Sequence, residues 1–119
     1  MGPRLGLSSH LRLDTQRIRD KAIVSVQGEI DLTTSGAVQS ALDAARRGAT
    51  VLVLDLRAVG FMDTSGLRLV ISEQQRATEY GYRFLVMRGS GRVQRLFEMA
   101  GFPAGHPMFA DAPAEPGGA

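Results

Sequence analysis

The stretch that decides the fold is VLVLDLRAVGFMDTSGLRLVISEQQ, residues 51–75. It opens on the continuous apolar run of residues 51–54, and a run this short is typical of a strand that is buried on both faces. Beyond Gly66 the apolar residues recur at the spacing of one helical face. The stretch therefore predicts a buried strand, a turn, and a helix over about residues 65–79.

Between this strand and this helix, the pattern predicts that the chain leaves the core and returns to it. Residues 57–60 are interpreted as a short connection, and Phe61 and Met62 as core residues. The helix is then preceded by Asp63-Thr64-Ser65, whose side-chain oxygens can accept from the free N–H groups of a helix start. Two hydroxyls beside a carboxylate at this positively polarised end also suit phosphorylation. The residues alone leave both a cap and a phosphorylation switch open.

Three segments of the chain carry motifs that belong together. They are VQGEIDL at residues 26–32, DLRAVGFMDTSGLRLVI at residues 55–71, and VQRLFEMAGF at residues 93–102. In this order they resemble the signature of STAS domains, the family of anti-sigma factor antagonists, over about residues 10–105.

The resemblance implies which residues form the functional site. Thr64 stands where the family carries its phosphorylated hydroxyl, and the adjacent Ser65 is the alternative acceptor. The implied partner-binding surface consists of Glu29, Asp31, Asp63, Thr64, Ser65 and Gly66. Glu29 and Asp31 are expected in a loop at the same end of the sheet as Asp63. For both aspartates the alternative is a structural role as helix caps.

The function implied is that of an anti-sigma factor antagonist. The unphosphorylated form binds an anti-sigma factor and so releases a sigma factor. That anti-sigma factor is also a serine/threonine kinase, which phosphorylates the D-T-S-G hydroxyl with its own ATP, and a metal-dependent serine/threonine phosphatase reverses the reaction. The chain itself is expected to be no enzyme and to need no cofactor. The alternatives are a STAS subunit of a phospholipid transport complex and a stressosome-like scaffold.

The remaining local patterns predict an α/β fold. Residues 11–15 and 22–26 are predicted to form an antiparallel hairpin, and an apolar stripe predicts a helix that ends near residue 47. A further strand is predicted at residues 83–87, and Ser90 is placed to cap a third helix. Together with the resemblance, these elements predict a STAS-like mixed sheet of four to five strands with helices mainly on one face.

One domain is expected over residues 10–110, between a flexible N-terminus at residues 1–9 and a disordered tail at residues 111–119. Met108 and Phe109 are predicted to add a short edge strand. The prolines and glycines beyond them argue against the final helix that the family usually has.

Composition excludes several classes of function. The net charge of +2 and the aromatic content of 6% do not provide the basic, aromatic surface of a nucleic-acid binder. No apolar run approaches the roughly 18 residues of a membrane span, so a cytoplasmic protein is expected. The chain has no cysteine, and its two histidines, His10 and His106, fall in separate segments and are interpreted as surface residues. Neither a metal site nor a base for a Ser or Thr nucleophile is therefore predicted.

Overall fold

The computed structural model of the chain describes residues 11–110. In chain order the elements are β1 (Leu11–Ile18), β2 (Lys21–Ile30), α1 (Ser35–Arg46), β3 (Val51–Met62), α2 (Thr64–Tyr80), β4 (Arg83–Met87), α3 (Gly91–Met99) and β5 (Phe109–Ala110). The predictions for residues 1–9, His10 and residues 111–119 lie outside the described residues.

The five strands form one sheet in the order β1-β2-β3-β4-β5. β1 pairs antiparallel with β2, and each of the other neighbouring pairs is parallel. Each parallel pair requires a crossover connection, which α1, α2 and the segment containing α3 supply in turn. The predicted mixed α/β sheet is confirmed, with five strands.

The helices of residues 11–110 pack on one face of this sheet. Val38 of α1, Val70 of α2 and Phe97 of α3 are all buried in a single hydrophobic cluster. Alternate residues of the central strands, such as Val24 and Leu54, belong to the same cluster, because successive strand residues point to opposite faces. A second, smaller cluster on the opposite face consists of Ile23, Val53 and Met87.

The central strand β3 is longer than predicted. It continues through residues 57–60, so the predicted connection there is wrong. Between the Ser25–Asp55 pair and the Ile30–Met62 pair, β2 advances by five residues and β3 by seven. β3 therefore carries two extra residues as β-bulges, and a bulge sets two residues of one strand opposite one residue of its neighbour.

These bulges decide which side chains of β3 reach the core. Leu56, Val59 and Met62 are buried, and two exposed residues lie between each of them and the next. Met62 was correctly predicted in the core, but Phe61 is 40% exposed, so its predicted core position is wrong. The paired outward residues conceal the two-residue alternation of a strand, and this is why the segment resembles a loop.

Asp55 holds the first bulge in place. Its Oδ1 accepts from the backbone N–H and from the Nε of Arg57, both at 3.0 Å, and its Oδ2 accepts from Nη2 at 3.0 Å. Burial acts to raise the pKa of Asp55, but the hydrogen bonds from Arg57 outweigh it and hold this pKa below its usual value. The ionised carboxylate thus fixes both the backbone and the side chain of Arg57.

The end of β3 extends beyond β4 together with the end of β2. The β3–β4 pairing stops at Asp55 and Met87, whereas the β2–β3 pairing continues to Ile30 and Met62. β2 is accordingly longer than predicted, and Gly28 has a φ of 116° next to a shift in register, as expected for a bend. This extension of β2 and β3, residues 26–30 and 56–62, is called the two-stranded arm below.

The C-terminal part of the described residues forms the other edge of the sheet. A short parallel edge strand is present, as predicted, but it consists of Phe109 and Ala110, and Met108, 2% exposed, lies just before it. His106 was expected on the surface but is half-buried. Its Nδ1 accepts from the Met108 backbone N–H at 3.0 Å, and its ring lies edge-on to Phe102 and Phe109.

A buried carboxylate ties α1 to α2 and to the start of β4. The Glu73 side chain is 0% exposed and accepts from Arg46 Nε at 3.0 Å and from Arg46 Nη2 at 3.1 Å. The Tyr82 hydroxyl donates to the same carboxylate, and Arg46 also binds Asp43. Burial, followed by the hydrogen bond to Glu73, raises the pKa of Tyr82 to about 12. A carboxylate buried this deeply requires both donors.

Gly66 allows the start of α2 to pack closely against the two-stranded arm. A Cβ at this position would lie 2.4 Å from Met62 Cγ, 2.6 Å from Met62 Sδ and 3.0 Å from Ile30 Cγ2. Such distances are shorter than van der Waals contact, so a larger residue must displace the helix or the core side chains.

We predict that Tyr82→Phe lowers the free energy of unfolding at pH 7 by about 1–3 kcal/mol, because a buried carboxylate loses a donor. The pKa of Tyr82 is higher in the folded chain than in the unfolded chain. Its contribution to stability is therefore complete below the unfolded pKa of about 10 and is lost as the pH rises towards 12. Urea denaturation across pH 8–12 should show this alkaline loss of stability in the wild type only. If the free energy of unfolding of the variant falls with pH as steeply as that of the wild type, the prediction is contradicted.

We predict that Gly66→Ala destabilises the domain by about 1–3 kcal/mol through overpacking. The matched control is Gly36→Ala in α1, where a Cβ meets nothing within 4 Å, so that the higher helix propensity of alanine should leave stability unchanged or slightly raised. Chemical denaturation of both variants makes the comparison. Equal effects of the two substitutions would show that the close contact at Gly66 does not limit the packing.

Candidate partner-binding site

The parallel pairing of β2 with β3 brings two loops together at one end of the sheet. Ile30 and Met62 are partners at the end of the two-stranded arm, and the Asp63 backbone N–H donates to the Ile30 carbonyl at 3.1 Å. The β2–α1 loop follows the first strand and the start of α2 follows the second. Because carboxyl ends of parallel strands meet at one edge, the segments predicted to form the site become neighbours.

Asp63 caps α2. Its Oδ1 accepts from the Ser65 backbone N–H at 2.8 Å, and its carbonyl accepts from the N–H groups of Gly66 at 3.1 Å and Leu67 at 3.3 Å. These bonds satisfy donors that a helix start leaves free. The Thr64 side chain is exposed, and its hydroxyl makes no hydrogen bond to another described residue. Ser65 is half-buried.

Asp31 organises the β2–α1 loop. Its Oδ1 accepts from the Thr33 N–H at 2.9 Å, from the Thr33 hydroxyl at 2.7 Å and from the Thr34 N–H at 3.1 Å. The hydrogen bond from the Thr33 hydroxyl is the largest of the effects that hold the pKa of Asp31 below its usual value. Buried Thr34 completes the loop, since its hydroxyl donates to the Glu29 carbonyl at 2.8 Å. The carboxylate of Asp31 is thus used inside its own loop.

The other two predicted surface residues differ in accessibility. Glu29 is exposed but lies in β2, opposite Phe61, so its predicted place in a loop is wrong. Gly66 is buried, so it acts on the surface by setting the position of α2. The structure therefore brings Glu29, Asp31, Asp63, Thr64 and Ser65 to one end of the sheet, with Gly66 beneath them.

Sequence reasoning missed three accessible residues beside this cluster. Leu32 is 79% exposed, Phe61 is 40% exposed, and Arg68 is exposed one helical turn beyond Thr64. A shallow groove between α1 and α2 is lined by Leu32, Ser35, Gly36, Gln39, Ser65, Arg68, Leu69 and Ser72. An apolar residue inside the otherwise polar turn D-L-T-T is the one sequence signal that points to Leu32.

A chemically reactive group that is accessible at this end of the sheet is the hydroxyl of Thr64. Thr64 lies at the positively polarised start of a helix of 17 residues, where added negative charge is tolerated. Within residues 11–110 no group of three or more His, Asp or Glu side chains is placed to hold a metal ion. The described part of the chain also contains no helix long and apolar enough to cross a membrane.

Comparisons with known proteins agree with this architecture. The chain is 32% identical to the anti-sigma F factor antagonist of Paenibacillus polymyxa over 94 residues, which cover 77% of this chain and 80% of the relative. It is 37% identical to the anti-sigma-B factor antagonist of Listeria monocytogenes over 92 residues, 72% of this chain and 76% of the relative. The crystal structure of an anti-sigma factor antagonist from Mycobacterium paratuberculosis superposes with a TM-score of 0.71, at 25% identity over 83% of this chain and 85% of that one.

The family model of the STAS domain matches residues 12–112, which include all five strands except the first residue of β1, and all three helices described above. The resemblance seen in the three motifs and the order of the strands lead to the same assignment. The chain belongs to the STAS domain family.

Proposed function

We propose that this protein is an anti-sigma factor antagonist whose binding to its partner is switched off by phosphorylation of Thr64. In the unphosphorylated state it binds an anti-sigma factor and thereby releases a sigma factor. The observation that carries the proposal is the exposed hydroxyl of Thr64 at the capped start of α2, which makes no hydrogen bond to another described residue. The names of the two relatives at 32% and 37% identity support the partner class.

The geometry favours Thr64 over Ser65 as the acceptor. A kinase must bring its γ-phosphate in line with the hydroxyl oxygen, which requires access from solvent. Thr64 is exposed, whereas Ser65 is half-buried and faces the groove between α1 and α2. Thr33 is also exposed, but its hydroxyl donates to Asp31 at 2.7 Å. Ser65 remains the alternative acceptor.

The switch acts through charge at the interface and leaves the fold intact. A phosphate adds about −1.5 to −2 charges at Thr64. The helix dipole offsets this by roughly 0.3–1 kcal/mol, so α2 tolerates the group. A partner surface that covers Thr64, Leu32 and Phe61 does not tolerate the phosphate, because binding would remove the phosphate from water.

In this proposal the chain is a substrate and a switch, and it is not an enzyme. The anti-sigma factor serine/threonine kinase supplies ATP and the catalytic groups, and a metal-dependent serine/threonine phosphatase restores the hydroxyl. The partner surface combines Glu29, Asp31, Asp63, Thr64 and Ser65, with Gly66 holding α2 in place. The proposed site of action is the cytoplasm, where the partners of a sigma factor act.

We predict that a cognate anti-sigma factor kinase adds one phosphate, and that it is mapped mainly to Thr64. The experiment incubates the purified protein with ATP and with each kinase-type anti-sigma factor encoded in the same genome, followed by tandem mass spectrometry. Thr64→Val, which keeps the shape of the side chain and removes the hydroxyl, should abolish most of the incorporation. Phosphate found only on Thr33, Thr34 or Ser90 contradicts the assignment.

We predict that Thr64→Glu separates folding from signalling. The variant should unfold within about 0.5 kcal/mol of the wild type, as surface substitutions do, and should bind the anti-sigma factor at least about tenfold more weakly, or 1.4 kcal/mol. Thermal melts and calorimetric titration provide the two measurements. The matched control is Thr64→Val, which should retain binding. A Thr64→Glu variant that unfolds at ambient temperature would instead assign the hydroxyl a structural role.

A further inference from the structure

Within residues 11–110, β1 is a regular strand at the outer edge of the sheet. Among the described strands it pairs only with β2, and its eight residues LRLDTQRI do so in an unbroken register. All of them except Leu11 are exposed. Natural edge strands are usually protected by charged side chains, especially lysine, by proline, by a bulge or by a covering element. β1 has no proline, lysine or bulge, and its charges are two arginines and one aspartate, of mixed sign. Within residues 11–110 no strand pairs with its outer backbone groups, which leaves them able to accept another strand.

The charges on this edge have opposite signs two residues apart. Arg12 and Asp14 are the partners of Gln27 and Ser25 on the face of the sheet away from the helices. Neither forms an ion pair with another described residue. Arg17, in contrast, is held by α1, where its Nη2 donates to the carbonyls of Ala45 at 2.8 Å and Arg47 at 2.9 Å. Arg12 and Asp14 are therefore the charges that an added strand would meet.

A second copy of the same strand complements this pattern in one register. Directly opposite residues of an antiparallel pair point to the same face. The two-fold axis of a symmetric pair must therefore lie midway between the two copies of one residue, and below the axis is named by that residue. An axis at Arg12 places two arginines opposite each other, and an axis at Asp14 places two aspartates opposite each other. An axis at Leu13, which is 36% exposed, places each Arg12 opposite the Asp14 of the other copy.

We propose that a second copy of this chain pairs with β1, antiparallel and across a two-fold axis at Leu13. The two five-stranded sheets then form one continuous sheet, with two Arg12–Asp14 pairs on one face and the two Leu13 side chains in contact on the other. The interface is isologous, as in most homodimers. An interface of one strand pair is small, so the dimer is weak and its population depends on protein concentration.

The absence of cysteine from the chain makes the register directly testable. Directly opposite Cα atoms lie about 4.5–5.5 Å apart, within the range of a disulfide. Leu13→Cys should therefore form a disulfide-linked dimer under mild oxidation. Ile18→Cys is the matched control, because Ile18 is more exposed, at 52%, yet the two copies of residue 18 would lie roughly 34 Å apart in this register. Circular dichroism melts of both variants establish that each is folded.

A charge exchange tests the pairing without cysteine. Arg12→Asp and Asp14→Arg each place like charges opposite one another and should weaken the dimer by about tenfold. The double variant restores two opposite-charge pairs and should return to within about threefold of the wild type. Sedimentation equilibrium up to about 1 mM protein, a range suited to weak complexes, gives the association constants.

The expected result is a dimer that cross-links at residue 13 and not at residue 18, and that responds to the charge exchange as described. Three outcomes overturn the proposal. They are a monomer at every concentration, equal cross-linking at both positions, and a dimer that the single charge variants leave unchanged. If β1 pairs with a strand of a different protein and this chain alone stays monomeric, the proposal is likewise overturned.

Discussion

The parallel pairing of β2 with β3 is the constraint on which the rest of the structure depends. It continues past the end of β4 and carries the two-stranded arm beyond the main sheet. Two loops that are about thirty residues apart in sequence are thereby joined by a backbone hydrogen bond from Asp63 to Ile30 at 3.1 Å. The close packing of Gly66 on Met62 then fixes where α2 starts. The backbone pairing of β2 with β3 therefore sets the positions of the two loops, and the side chains of the site are carried on them.

Much of this could be predicted from the sequence because the patterns are local. The strand at residue 51, the helix after Asp63 and the bend at Gly28 all follow from short-range rules, and the structure has each of them. The bulges of β3 could not be predicted, because they depend on the partner strand, and Phe61 was misplaced as a result. The buried bond between Arg46 and Glu73 joins two helices across 27 positions and leaves no local signal.

In the D-T-S-G turn, the helix cap and the proposed phosphorylation site fall on different residues. Asp63 uses its carboxylate to cap α2, and the adjacent hydroxyl of Thr64 makes no hydrogen bond to another residue of 11–110. The β2–α1 loop is built in the same way, since Asp31 binds the N–H groups of its own loop while Leu32 projects into solvent. In both loops the acidic residue holds the backbone in place, and the side chain of the next residue is exposed.

The two bulges of β3 have a consequence for how such a surface can diverge. Each adds one residue without turning an inward side chain outward, because Leu56, Val59 and Met62 all remain buried. Loss of one residue at positions 57–58 or 60–61 would draw the start of α2 back by about 3.3 Å relative to the β2–α1 loop, while every side chain of both loops stayed the same. The spacing of the two loops is therefore set by a count of residues, and insertions and deletions in this segment change it in discrete steps that no substitution reproduces.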